Sequence, residues 1–189
     1  MLEKQRVWMT SGRGEARAPQ SRMEVDIVQY KAAARHFASG VTVVTTRCDE
    51  VLHAGTVSAF FSLSLEPMQV LISLNSAGRL AELVTQSGIF GVNVLSAEQE
   101  SVSRLFASPQ RPTSLGALPG LETDVAVTGA PVIRGCLAYF DCAVADAIVA
   151  GDHTLFVGRV MAAFASEGQP LLYFDGAYRS LSPLPVDPV

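Results

Sequence analysis

Two long β-strand patterns, Gly135 to Ile148 and His153 to Phe164, are separated only by Val149-Ala150-Gly151-Asp152. So short a connection joins antiparallel strands, because a parallel pair needs a crossover of a dozen residues or more. The same arrangement occurs earlier in the chain. Val41 to Thr46 is β-branched throughout, turns at Arg47-Cys48-Asp49-Glu50 and returns over Val51 to Phe60. Val70 to Leu74, Ile89 to Leu95 and Leu171 to Phe174 read as further strands. The expected helices are short: Asp26 to Phe37 with Asp26 as N-cap, a segment carrying Leu80, Leu83 and Val84, and one opened by Ser96 and Gln99 at capping-box spacing. Strands arriving mostly as hairpins favour a closed or nearly closed barrel over a doubly wound parallel sheet. No GxGxxG opens a helix after the first strand, which disfavours a Rossmann domain.

A chain of 189 residues suffices for one domain with a real core. Its formal charge of -4 and the lack of any Lys/Arg run exclude the concentrated basic footprint that nucleic acid requires. The three cysteines, Cys48, Cys136 and Cys142, form no CxxC or His-spaced pair, so neither a disulfide framework nor a metal site is expected and a reducing cytoplasm fits. Cys136 and Cys142 are expected on one face of a strand as small hydrophobes without a catalytic role. No apolar run approaches the roughly 20 residues of a membrane span, and a soluble protein is expected. Residues 1–22 read as a flexible tail without a signal-peptide core, residues 23–182 as the domain, and residues 183–189, with Pro183, Pro185 and Pro188, as a second tail. Ser108 to Gly120, rich in Pro, Ser and Gly, reads as a surface loop placed to act as a lid.

The segment from Gly55 to Ser64 is the best candidate for a binding site. Continuous strand geometry puts Thr56, Ser58, Ser62 and Ser64 on one face and Val57, Ala59, Phe61 and Leu63 on the other. Small hydroxyl side chains let a planar polar ligand come close to the backbone while answering its carbonyls and ring nitrogens. The other reading is a solvent-facing row of Ser and Thr on a half-exposed strand.

Several segments together resemble the flavin reductase family of FMN-binding split barrels, the reductase components of two-component flavin-dependent monooxygenases. They are 37–46 (FASGVTVVTT), 55–60 (GTVSAF), 64–67 (SLEP), Asn75-Ser76 and 90–95 (FGVNVL). The pattern continues with Phe106-Ala107, Gly151-Asp152-His153, 156–160 (FVGRV) and 170–174 (PLLYF). The resemblance implies a mainly β (α+β) Greek-key split β-barrel of about six strands with a few short helices, forming a homodimer. It further implies an oxidoreductase that binds FMN or FAD, reduces it with NADH or NADPH, and supplies a partner monooxygenase. The alternatives are a split barrel whose tightly held FMN acts directly on a small organic substrate, an electron carrier, and a barrel that binds no flavin.

Carried over by position, Thr56, Val57, Ser58 and Ala59 would meet the isoalloxazine ring through backbone N–H groups and hydroxyls. Asn75 and Ser76 would lie by the ribityl and phosphate, where a helix start offers unpaired N–H groups, with Arg79 adding a charge-assisted contact. An ordinary helix cap is the other use of Asn75-Ser76. His153, at a turn entering a strand, is the expected catalytic residue on the nicotinamide side, positioning that ring or supplying a proton. Tyr178 resembles an aromatic that reaches the flavin from near the carboxyl end, or packs the terminal segment. Phe60 and Phe106 either flank the ring or pack the core, and Asn93 either touches the flavin or holds a neighbouring loop.

Overall fold

The computed structural model describes residues 25–112 and 120–182. The expected tails at 1–22 and 183–189, and residues 113–119 of the expected lid, lie outside the described residues. Helix α1, Ile27–Ala34, starts after Asp26, whose carboxylate accepts from the Val28 N–H, and none of its residues is buried. It belongs to a unit that ends at Ala34, and a second unit runs from Arg35 onward.

The second unit is organised by one antiparallel seven-stranded sheet. Its strands are β2 (Thr42–Cys48), β3 (Val51–Val57), β4 (Phe60–Leu65), β5 (Met68–Asn75), β6 (Ile89–Val94), β9 (Ala138–Ala150) and β10 (His153–Ala165), in the order β3-β2-β6-β9-β10-β5-β4. β3 and β4 stand at opposite ends of that order, yet only Ser58 and Ala59 join them. Two residues span roughly 7 Å, so the sheet has to roll until its ends nearly meet. The Ser73 N–H, from β5, donates to the Ala59 carbonyl (3.1 Å), carrying the β4–β5 pairing into the crossing. No ladder pairs β3 with β4, and the barrel is therefore split along that seam.

Short satellites complete the unit. β1 (Ser39–Gly40), β11 (Leu172–Phe174) and β12 (Ala177–Arg179) make a three-stranded sheet, and β7 (Thr123–Val125) pairs with β8 (Pro131–Ile133). β1, β7, β8 and β12 are only two or three residues long, too short for any periodicity to register in the sequence. Helix α2, Arg79–Ser87, buries Leu80, Leu83 and Val84 as expected, and helix α3, Glu100–Ala107, follows a 3-10 turn at Ala97–Gln99. Gln99 Oε1 accepts from the Ser96 N–H (3.2 Å), as the capping-box spacing predicts.

β2 is buried on both faces, which is why its sequence is β-branched rather than alternating. Val44 packs into a core with Ile72, Val84, Phe90 and Phe156, while Val43 packs into another with Leu95, Phe106 and Leu171. Two expectations fail on local geometry. The strand read from Val51 to Phe60 breaks at Ser58-Ala59 to cross the seam, so the hydroxyls of the 55–64 segment do not share one face of one strand. Cys136 sits in a turn before β9 and packs with Val132 and Tyr139, whereas Cys142 lies within β9 against the Phe90 core.

Candidate functional site

The seam opens into a cleft of about 370 Å³. β3 supplies Gly55, Thr56 and Val57, the crossing supplies Ser58 and Ala59, and β5 supplies Ser73, Leu74 and Asn75. Gly78, Leu80 and Ala81 at the start of α2, with Arg111 and His153, complete the wall. As an end strand, β3 has one backbone edge outside the main ladder, so its peptide groups are available to a ligand at that seam. The cap residue of α2 is Gly78, which has no side chain to bond the first N–H groups of the helix, and these face an anion with the positive dipole end. No carboxylate lines the cleft among the described residues, while one guanidinium and one imidazole do. The donor set suits a planar ligand carrying an anionic tail.

His153 is placed by pairing over long sequence distance. The β10–β5 register sets it opposite Asn75, and the Ser76 N–H donates to the Asp152 carbonyl (2.9 Å). Ser76 Oγ and Thr154 Oγ1 bond at 2.8 Å, tying the same two strands. Gly151, at φ 64°, takes the left-handed conformation that the tight turn between β9 and β10 requires. His153 Nδ1 lies 2.8 Å from Asp152 Oδ1, and the hydrogen bond from the imidazole, with its charge, holds the Asp152 carboxyl below its ordinary value. That contact fixes the ring and leaves Nε2 as the nitrogen open to a ligand.

The cleft thus gathers Thr56, Val57, Ser58, Ala59, Asn75 and His153. The Thr56 hydroxyl is already committed, donating to the Ser103 carbonyl of α3 (2.7 Å), so Thr56 offers backbone there. Ser76 braces the wall from outside, and Asn75 Oδ1 accepts from the Ala77 N–H (3.0 Å), closing the turn into α2. Arg79 faces a neighbouring groove and pairs with Glu82 (2.7 Å). The other aromatic and amide candidates lie elsewhere. Phe60 packs against the Phe90 core with its ring 5.4 Å from that of Phe140, and Phe106 is buried in the Leu95 core. Asn93 is fully buried and holds a loop: its Nδ2 donates to the Val43 carbonyl (3.0 Å), and its Oδ1 accepts from the Ile133 N–H (2.7 Å). Tyr178 does not reach the cleft; its hydroxyl bonds Ser103 Oγ (2.8 Å) under the Arg104 guanidinium.

Ser73, Leu74, Gly78 and Arg111 were not anticipated from the sequence. Ser73 and Leu74 directly precede Asn75 on β5, which is a usable signal, whereas nothing local to Arg111 marks it. A larger hollow of about 1060 Å³ beside β7, β8 and the far ends of β9 and β10 holds none of the residues singled out for binding.

Fold and cleft together define a split β-barrel with an anion-receptive ligand site at its seam. Residues 34–182 match the flavin reductase like domain, and the chain belongs to the flavin reductase family. It is 36% identical over 161 residues to an NADH-dependent flavin reductase of a Rhodococcus species, covering 84% of this chain and 88% of that protein. Its identity is 33% over 163 residues to HsaB, the reductase subunit of a flavin-dependent monooxygenase of Mycobacterium tuberculosis, covering 85% of each. Among solved structures, the NADH:FAD oxidoreductase SgcE6 of Streptomyces globisporus, in complex with NAD and FAD fragments, superposes with a TM-score of 0.77. That match has 32% identity and covers 84% of this chain and 94% of the other.

Proposed function

We propose that this chain is an NADH-dependent flavin reductase that supplies reduced FMN or FAD to the oxygenase component of a two-component monooxygenase. The carrying observation is the cleft, free of carboxylates among the described residues, in which the backbone of 56–59, the start of α2, Arg111 and His153 converge. The names of the relatives favour NADH over NADPH. Bound flavin supplies the ring nitrogen that accepts hydride. The peptide N–H groups along 56–59 present preorganised donors to the ring edge where negative charge gathers on reduction. The uncapped first turn of α2, with Arg111, receives the phosphate. His153, oriented through Nδ1 by Asp152, presents Nε2 to the nicotinamide and holds it at near-attack distance, or gives a proton.

A homodimer belongs to the same reading. Phe61, Leu63, Leu65 and Met68 on β4 and β5, with Ile148 and Met161 on the adjoining β9 and β10, are exposed on strands that neighbour one another in the sheet. Apolar area of that kind commonly marks an interface. A cytoplasmic location agrees with three free cysteines. The test is NADH oxidation with FMN, with FAD and without flavin, followed at the nucleotide's absorbance. Flavin-dependent oxidation is expected, and a folded sample inert in every combination overturns the assignment.

A further inference from the structure

Ser103 of α3 is fully buried and makes two hydrogen bonds that lead in opposite directions. Its carbonyl accepts from the Thr56 hydroxyl (2.7 Å) on the cleft side, and its Oγ bonds the Tyr178 hydroxyl (2.8 Å) of β12 on the other. Neither Ser103 nor Tyr178 lines the cleft. The geometry points to both as positioning residues for the flavin, acting through Thr56 on the backbone that meets the ring. The inference rests on the reductase reading.

Three observations carry it. β3 is an end strand, paired along one edge with β2, where Val43 stands opposite Thr56, and it stops one residue later at Val57 as the chain leaves to cross the seam. A strand end held on one edge is free to fray, and the bond from Thr56 to the Ser103 carbonyl ties it to α3 just before the crossing. Ser103 is fixed in turn. A serine inside a helix commonly turns its hydroxyl back to the carbonyl of the preceding turn, whereas this one reaches out of α3 to Tyr178. The Tyr178 ring is itself held on two sides: the Arg104 guanidinium lies 4.7 Å from its centroid, and the ring of Tyr173, its cross-strand partner, stands edge-on at 5.4 Å. Its hydroxyl therefore has one direction. The path runs from the β11–β12 hairpin through α3 to the peptide groups of 56–59 that the ring edge meets.

Equilibrium titration of the full chain with FMN, paired with urea unfolding, tests the path. Tyr178→Phe and Ser103→Ala remove the two partners of one bond while keeping the aromatic ring and the carbonyl. Each is expected to raise the Kd for FMN about two- to tenfold, the range for a single hydrogen bond. The double variant binds no more weakly than the weaker single one, since the same bond is lost only once. Thr56→Val gives a loss of the same order, and Thr56→Ser, which keeps the hydroxyl, recovers the wild-type affinity. The KM for flavin rises with Kd while kcat moves less, the reverse of a residue that acts on the nicotinamide. An unchanged Kd in folded Tyr178→Phe with only its unfolding free energy lowered, additive losses in the double variant, or Thr56→Ser as weak as Thr56→Val each overturns the inference. If Ser103→Ala does not fold, Tyr178→Phe and the two Thr56 variants decide it alone. Failure of the reductase reading looks different: the wild type itself binds neither FMN nor FAD, and the inference falls with it.

Discussion

His153 and Asp152 act as one unit at the residue scale, because the carboxylate sets the direction in which the imidazole faces. His153→Ala is expected to lower kcat with NADH by roughly 100-fold, the low end of the range for losing a positioned acid–base group, while flavin affinity changes less. Stopped-flow hydride transfer separates the two. Since the Asp152 carboxyl is depressed, its contribution is present above its ordinary 3.8 and is lost only as pH falls through the still lower folded value. Asp152 is therefore ionised throughout the neutral range. The thiols run the other way. Burial pushes Cys136 up to about 11 and Cys142 up to about 12, so the folded state favours their protonated forms. Their contribution to stability is complete below the ordinary thiol value of 9.0 and declines as pH rises toward those folded values. Thiol titration at pH 8 is expected to label Cys48 alone in the native protein and all three cysteines in denaturant. Rapid labelling of all three in the native state would contradict the burial.

Asn93 shows what β6 does at the scale of elements. It links β2 through the Val43 carbonyl and β8 through the Ile133 N–H, fixing a short strand that has little cohesion of its own. Asn93→Ala strands that buried N–H, at a cost of about 1–3 kcal/mol in unfolding free energy, and flavin affinity in the surviving folded protein stays near that of the wild type. Urea unfolding and a flavin titration measure the two effects. A loss of flavin binding without loss of stability would return Asn93 to the site. The hairpin β9–β10 was legible because its strands are long and its turn short, and the β2–β3 hairpin because β-branched residues fill β2 and a polar turn follows it. The break at Ser58-Ala59 was hidden: the alternation runs on through it, and only the need to join the two ends of a rolled sheet interrupts the strand.

The exposed apolar side chains of β4, β5, β9 and β10 bear on the whole molecule. Replacing Phe61 and Leu63 by Ser is expected to shift the sedimentation coefficient from dimer to monomer while the far-ultraviolet spectrum is kept. An unchanged wild-type sedimentation value at monomer mass would remove the dimer.

The order of apolar and polar residues along this chain was enough to determine antiparallel strands, short helices and a hydroxyl-rich segment, since strand period, turn length and capping are encoded within a few neighbouring positions. The family pattern added Thr56 to Ala59, Asn75 and His153, which the cleft does bring together. Which atom each offers was settled only in three dimensions. The Thr56 hydroxyl is turned to a carbonyl 47 residues away, Arg79 faces the next groove, and Arg111 enters the cleft from beyond α3. A side chain's neighbours follow from strand register and sheet closure, which are properties of the packed whole and leave no mark on the local sequence.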